Sequence, residues 1–262
     1  MIVKAKGKRQ KAKGKRQKAK GRRDNVPIGR IGEFCLLPSA FSLDLDRLLS
    51  PPAKRILLPA FDTPYNVPVI SAVILAAGAS SRMGQPKLLL PLGREPLVRL
   101  VVRQVLDSGV EDVLVVVGCE HERISAALEG LGVRTALNPH YETGMGSSFR
   151  TAVAALAGSS AAMFALADQP LVAAEDYRRV LDAYREHPGG IVSVRYGDVT
   201  APPHLFDAAF FPELAVLEHG ARPVLQRHAA ETTVLHLAPE RLLDIDTPED
   251  YERAKALFSD AR

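Results

Sequence analysis

Cysteine is scarce in this chain: Cys35 and Cys119 are the only two in 262 residues. Two thiols cannot build a disulfide framework, which excludes a small stapled secreted scaffold. Cys119 follows a predicted strand and reads as a small core or edge residue, since no neighbour marks it as an activated nucleophile. No apolar stretch follows the basic N-terminus, so no signal peptide is expected and a reducing cytoplasm is. Long hydrophobic runs are missing too. The longest nearly apolar segment, Val67 to Ala79, falls short of the roughly 20 residues a membrane span needs, so no membrane partner is expected.

Acidic residues are absent from residues 4 to 23, which carry twelve Lys or Arg. This segment is a literal repeat: Lys4 to Gln10 recurs as Lys11 to Gln17, and Lys18 to Arg23 begins it again. The seven-residue period has no apolar positions to form a seam, so a coiled coil is excluded and disorder is expected. Such a tail either contacts RNA, DNA or an anionic surface without sequence preference, or is a passive extension. Without it, 22 basic residues face 30 acidic ones and the net charge is −8. The basic character therefore belongs to the tail and says nothing of nucleic-acid binding by the rest.

Residues 24–67 are punctuated by proline at 27, 38, 51, 52, 59 and 64 and read as a linker. Residues 68–262 read as one domain, and the 47% hydrophobic content of the chain supplies its core. Strands are expected over Val69–Ala76, Asp112–Val117, Val133–Leu137, Ala162–Ala167, Ile191–Val194 and Thr233–Leu237. Helices are expected over Pro96–Ser108, Glu122–Leu131, Ser147–Leu156, Ala174–Glu186 and Pro248–Phe258. Uniformly apolar strands alternating with helices indicate an α/β fold with a mostly parallel sheet covered on both faces. Ligands of such sheets sit at the carboxyl ends of the strands.

The loop after the first strand stands at such an end. It runs Leu75-Ala76-Ala77-Gly78-Ala79-Ser80-Ser81-Arg82-Met83-Gly84-Gln85-Pro86-Lys87. Glycine lets backbone N–H groups approach phosphate oxygens, and Arg82 and Lys87 supply opposing charge. The spacing fits neither GxxxxGK[ST] nor GxGxxG. Asp168, in Asp168-Gln169-Pro170, follows the apolar strand 162–167, where a carboxylate suits a hard cation such as Mg²⁺. Asn138 to Arg150 holds Gly144 and Gly146 before a helix start, with Ser147 as the expected N-cap. In Leu243-Asp244-Ile245-Asp246-Thr247-Pro248, Asp246 or Thr247 caps the last helix. His204, at a Pro-rich strand edge, reads either as a surface residue or as a contact to a substrate phosphate.

The 75–87 loop resembles the opening LxxGxxSxRMGxxK pattern of MobA-like nucleotidyltransferases, and the chain is most similar to their molybdenum cofactor cytidylyltransferase branch. Ala167-Asp168-Gln169-Pro170, Asn138 to Arg150 and Asp244 to Asp250 resemble later blocks of the same family. The likeness spans about three-quarters of the chain, from Val69 onward. It implies a three-layer α/β/α, Rossmann-like sheet of the nucleotide-diphospho-sugar transferase type. It further implies an enzyme that moves an NMP, CMP from CTP being favoured, onto a phosphorylated acceptor such as molybdopterin.

By this resemblance Arg82, Lys87 and Asp168 are the catalytic residues. The nucleotide contacts are Leu75, Ala76, Ala77, Gly78, Ser81, Arg82, Gly84, Lys87, Asn138, Gly146, Ser147, Ser148 and Asp168. Mg²⁺ is the implied cofactor, held by Asp168 and, unless it only caps the helix, Asp246. A molybdoenzyme or its chaperone is the implied protein partner. Two blocks depart from the family pattern: Leu217 and Glu218 replace Gly and Asp before Gly220-Ala221-Arg222, and Ala201-Pro202-Pro203-His204 replaces a Gly-led segment. Both lie on the acceptor side, which leaves open a sugar or alditol phosphate as acceptor, or a non-catalytic nucleotide-binding module tethered by its basic tail.

Overall fold

In chain order the elements of the computed structural model, which describes residues 69–260, are β1 Ile70–Ala76, β2 Pro91–Leu92, β3 Glu95–Pro96, α1 Leu97–Leu106, β4 Asp112–Val117, α2 His121–Ala127, β5 Arg134–Leu137, α3 Met145–Ala155, β6 Ala161–Leu166, α4 Ala174–Glu186, β7 Ile191–Tyr196, β8 Val199–Thr200, β9 His204–Asp207, α5 Phe211–Leu214, α6 Arg222–Arg227, β10 Thr232–Leu237 and α7 Pro248–Asp260. The basic repeat of residues 1–23 and the linker of 24–67 lie outside the described residues.

The main sheet has the order β10-β7-β9-β6-β1-β4-β5, with β8 paired to β7. β1 runs parallel to both neighbours, with Leu75 opposite Val116 on one side and Leu166 on the other. β9 runs antiparallel to β6 and β7. The sheet is thus mixed but mostly parallel, as expected for uniformly apolar strands.

Period-two alternation divides the strands between two cores. Ile70, Ala72, Ile74 and Ala76 face α1, α2 and α4, joining Val101, Ile124 and Tyr177 in one apolar cluster. Val73 and Ala77 face α3, α5 and α6, joining Phe149, Leu214 and Val224 in the other. Both faces of β1 are buried, so its seven residues read as a continuous hydrophobic run rather than an alternating one. Among the described residues no helix is long and apolar enough to cross a membrane.

Two differences from the sequence expectation matter below. Helix α3 begins at Met145 after Gly144, so Ser147 sits inside the first turn instead of capping it; its Oγ donates to the Gly144 carbonyl at 2.8 Å. β9 is absent from the expected strand ranges, although His204 itself reads as lying at a strand edge. β9 inserts between β6 and β7, which buries His204 to 6% exposure instead of leaving it on the surface. Proline beside His204 masks the strand in sequence, because Pro cannot donate to a ladder.

Burial pushes the His204 imidazole down to about 4, so it is neutral at pH 7. Below pH 6.5 the unfolded chain takes up a proton there that the folded chain refuses until about pH 4. Stability is therefore expected to fall as pH drops through this window, by about 3 kcal/mol in full. Urea unfolding of wild type and His204→Phe at pH 7 and pH 4.5 checks this: the variant should lack this component, and equal pH dependence in both would reject a neutral buried His204.

Candidate active site

The carboxyl ends of β1 and β6 lie side by side, because the Ala167 N–H continues the ladder to the Leu75 carbonyl at 3.2 Å. The chain leaves β1 into a loop whose shape depends on two left-handed residues, Ser80 at φ 53° and Gly84 at φ 65°. The Met83 N–H closes a turn on the Ser80 carbonyl at 3.0 Å, and buried Met83 anchors the loop. Ser80 Oγ accepts from the Lys87 N–H at 3.3 Å. Lys87 then opens a short 3₁₀ turn, Lys87–Leu89, with Leu88 in the core.

This arrangement aims the Lys87 side chain inward, where 11% of it stays exposed. Its Nζ donates to Asp168 Oδ2 at 2.6 Å and to Asp246 Oδ1 at 2.9 Å. Asp246 Oδ2 accepts in addition from Arg82 Nη2 at 2.8 Å. Burial alone would push the Lys87 ammonium down, but Asp168 and Asp246 outweigh it and hold it above the ordinary lysine value. For Asp246 burial again opposes, and Lys87 and Arg82 hold the carboxyl below the usual aspartate range.

The Asp246 segment reaches the site through backbone and side-chain ties to β6. The Ile245 N–H donates to the Asp168 carbonyl at 3.0 Å, and Gln169 Nε2 donates to Asp244 Oδ1 at 2.8 Å. Burial raises the Asp244 pKa. The capping of α7 is done by the next residue: the Thr247 N–H donates to Asp250 Oδ2 at 2.9 Å and the Asp250 N–H to Thr247 Oγ1 at 3.2 Å. That reciprocal pair leaves the Asp246 carboxylate facing the two cations.

A cleft of about 300 Å³ opens over this network. Of the residues singled out from sequence, Leu75, Ala76, Ala77, Gly78, Ser81 and Arg82 line it. Lys87, Ser148, Asp168 and Asp246 complete that set. Four others are elsewhere. Gly84 faces a separate hollow on the far side of the loop, beside Cys119 and Glu120. Asn138 is 1% exposed and works as a bolt: its Nδ2 donates to Ser147 Oγ at 2.8 Å and Ser148 Oγ at 3.0 Å, and its Oδ1 accepts from the His140 N–H. Ser147 is buried in that same network. Gly146 packs under the 217–220 loop. Its N–H donates to the Glu218 carbonyl at 3.3 Å, and a Cβ there would lie 2.0 Å from the Leu217 carbonyl oxygen. Arg150 points away, donating to the Ala215 carbonyl.

Ser80, Tyr141, Met145 and Leu166 also line the cleft and were not singled out from sequence. Tyr141 and Met145 stand within the Asn138–Arg150 block, so that block's own boundaries held the signal. Leu166 is the last residue of an apolar strand and carries no mark of its own.

The model of the MobA-like NTP transferase domain matches residues 72–232. The chain belongs to the MobA-like NTP transferase family. The nicotine blue oxidoreductase of Paenarthrobacter nicotinovorans is 30% identical, over 72% of this chain and 97% of that protein. The purine catabolism protein PucB of Bacillus subtilis is 32% identical, over 73% and 98%. Among solved structures, Rv0371c of Mycobacterium tuberculosis superposes with a TM-score of 0.65 at 28% identity, over 72% of this chain and 98% of that one. A further structure of Rv0371c is a complex with manganese, with a TM-score of 0.59 at 27% identity over 72% and 98%.

Gly146→Ala should strain this MobA-like domain locally. Overpacking of this kind costs about 1–3 kcal/mol, here by pushing the Leu217–Glu218 backbone off α3. Chemical denaturation should show that loss, and unchanged stability would mean that the loop is free to move.

Proposed function

We propose that this chain transfers CMP from CTP to the phosphate of a small acceptor of the molybdopterin type, releasing pyrophosphate. The observation that carries the reading is the Lys87 ammonium shared by Asp168 and Asp246 beneath the glycine loop. An acceptor phosphate oxygen attacks the α-phosphorus as the bond to the β-phosphate bridging oxygen breaks. The attacking oxygen is already anionic, so no strong general base is needed. The protein's contribution is position and charge.

Loop N–H groups from Ala77 to Gly84 face the triphosphate in this reading, and Arg82 and Lys87 neutralise its β- and γ-phosphates. Both cations are held by carboxylates before substrate arrives, so the triphosphate takes over contacts that Asp246 and Asp168 now make. The donor set fits a divalent cation: Asp168 and Asp246 converge on one positive centre, and hard cations are bound by one or two carboxylates plus substrate phosphates. When bound there, Mg²⁺ supplies charge neutralisation at the phosphate oxygens. The manganese complex of Rv0371c supports divalent-metal use of this kind.

CTP is favoured by the likeness of Ala76-Ala77 before Gly78 to the cytidylyl branch. The two curated relatives carry the names of an oxidoreductase and a purine catabolism protein, so neither names an acceptor. A hydride-transfer reading has no support in the 75–87 loop, which lacks the GxGxxG fingerprint.

Lys87→Ala and Asp168→Ala should each lower pyrophosphate release by orders of magnitude. Cooperative unfolding should persist, because Asp168 and Asp246 keep 20% and 31% of their side chains in water. Near-normal turnover in either variant would sink the mechanism. A thermal-shift series with CTP, GTP, ATP and UTP, each with and without Mg²⁺, tests the nucleotide. Saturation at ~100 times the dissociation constant stabilises by about 2.7 kcal/mol, and the largest Mg²⁺-dependent rise should come from CTP.

A further inference from the structure

The carboxylate that faces Lys87 stands on a short turn, Asp168-Gln169-Pro170-Leu171, held by bonds from other segments. The Ile245 N–H donates to the Asp168 carbonyl at 3.0 Å, and Arg241 Nη1 to the Leu171 carbonyl at 3.1 Å. Gln169 is 1% exposed and gives its amide to Asp244. All of these lead to residues 241–245, just before α7. A further tie comes from a different element. Gln104, on α1, donates from Nε2 to the Pro170 carbonyl at 2.9 Å.

That bond leaves a mark on the helix. The Pro170 carbonyl can only accept, so the Gln104 amide must turn Nε2 toward it. Its Oε1 is then buried without a hydrogen-bond partner, and among the described residues only the Tyr177 hydroxyl shares that condition. An unpaired buried acceptor opposes folding, and leucine or methionine would fill similar space on α1 without one. The bond to Pro170 is what a glutamine supplies here and an apolar side chain cannot.

The tie reaches Asp168 through a stiff link. Proline fixes its own φ and restricts the residue before it to extended backbone. Gln169 is confined as well, so a displacement at the Pro170 carbonyl passes to Asp168 instead of being absorbed between them. Gln104 stands on firm ground, since Val101, Val102 and Val105 bury α1 in the core. It does not line the Lys87 cleft. Tyr177 supplies the contrast. Burial, with Tyr196, Asp176 and Asp168 nearby, pushes its phenol well above the ordinary value, so it stays protonated, yet its hydroxyl makes no bond to the turn.

Resting on the transferase reading above for what Asp168 does, we infer that Gln104 is a positioning residue for the reaction: through the Pro170 carbonyl it fixes where the Asp168 carboxylate stands, and so sets how tightly the site takes a divalent cation. It does this without touching nucleotide, acceptor or metal. The unpaired Oε1 is the consequence of that duty.

Mn²⁺ is the probe, its binding to the full chain with CTP saturating read from loss of the free-ion EPR signal. Gln104→Leu should weaken Mn²⁺ binding at least fivefold, while its urea midpoint stays level with wild type or rises, because the tie and the unpaired oxygen leave together. Gln104→Met should behave alike. Tyr177→Phe removes the other unpaired atom and should leave Mn²⁺ affinity unchanged. Amide exchange gives a readout free of metal and nucleotide. The Ile245 N–H should exchange at least tenfold faster in Gln104→Leu and at the wild-type rate in Tyr177→Phe. Wild-type Mn²⁺ affinity in both Gln104 variants, or equal losses in Tyr177→Phe and Gln104→Leu, would overturn the inference. A wild-type chain that takes no Mn²⁺ strikes the metal site of the transferase reading alone. Exchange at Ile245 then decides, and an unchanged rate in both Gln104 variants overturns the inference.

Discussion

One buried ammonium organises this molecule's functional end. Lys87 is bound to carboxylates 81 and 159 residues away, so a single Nζ ties the loop after β1 to the end of β6 and to the strap before α7. Removing water from a lysine is costly, and the cost is met only because two carboxylates converge on it. The converse holds as well. Asp168, Asp244 and Asp246 crowd one edge of the sheet, and Lys87 and Arg82 offset the repulsion among them. Charge compensation is therefore both the structural bolt of the site and the reason it suits a polyanionic substrate.

The sheet makes that bolt possible. β1 lies between β4 and β6 with both faces covered, which fixes its carboxyl end to within one residue of register. The glycine loop starts from that fixed point and returns through Ser80 and Met83, so Lys87 has little freedom in where it points. On the other side, Asn138 and Gly146 do their work out of sight of the cleft. Asn138 fastens the first turn of α3, and Gly146 receives the Leu217–Glu218 backbone. Packed contacts thus run from the Lys87 cleft through Met145 and Gly146 to the 217–220 loop that precedes Arg222.

Much of the fold was legible in the residues. β4 and α4 have the boundaries their patterns predict, because a run such as Asp112 to Val117 has no alternative use and an amphipathic thirteen-residue helix has one buried stripe. Arg82, Lys87, Asp168 and Asp246 do meet in one cleft. Less legible were the roles of polar residues inside a good motif. Asn138, Gly146 and Ser147 belong to a block that looks like a ligand-binding loop, yet the first and last are spent on internal hydrogen bonds and the glycine on a close backbone approach. A motif records which residue types a place requires, and packing requires them as often as ligands do.

The chain by itself determined the α/β class, the parallel strands, the glycine loop and the Thr247–Asp250 cap, since each depends on neighbours a few positions apart. Only the tertiary structure decided which distant segments face one another. It set β9 antiparallel between β6 and β7, turned His204 from a surface candidate into a buried neutral ring, and brought that ring and Arg222 to one cavity beside the Lys87 cleft. The physical reason is that strand order is chosen by the burial of whole faces and the pairing of whole ladders, an energy summed over the domain that no local stretch of residues contains.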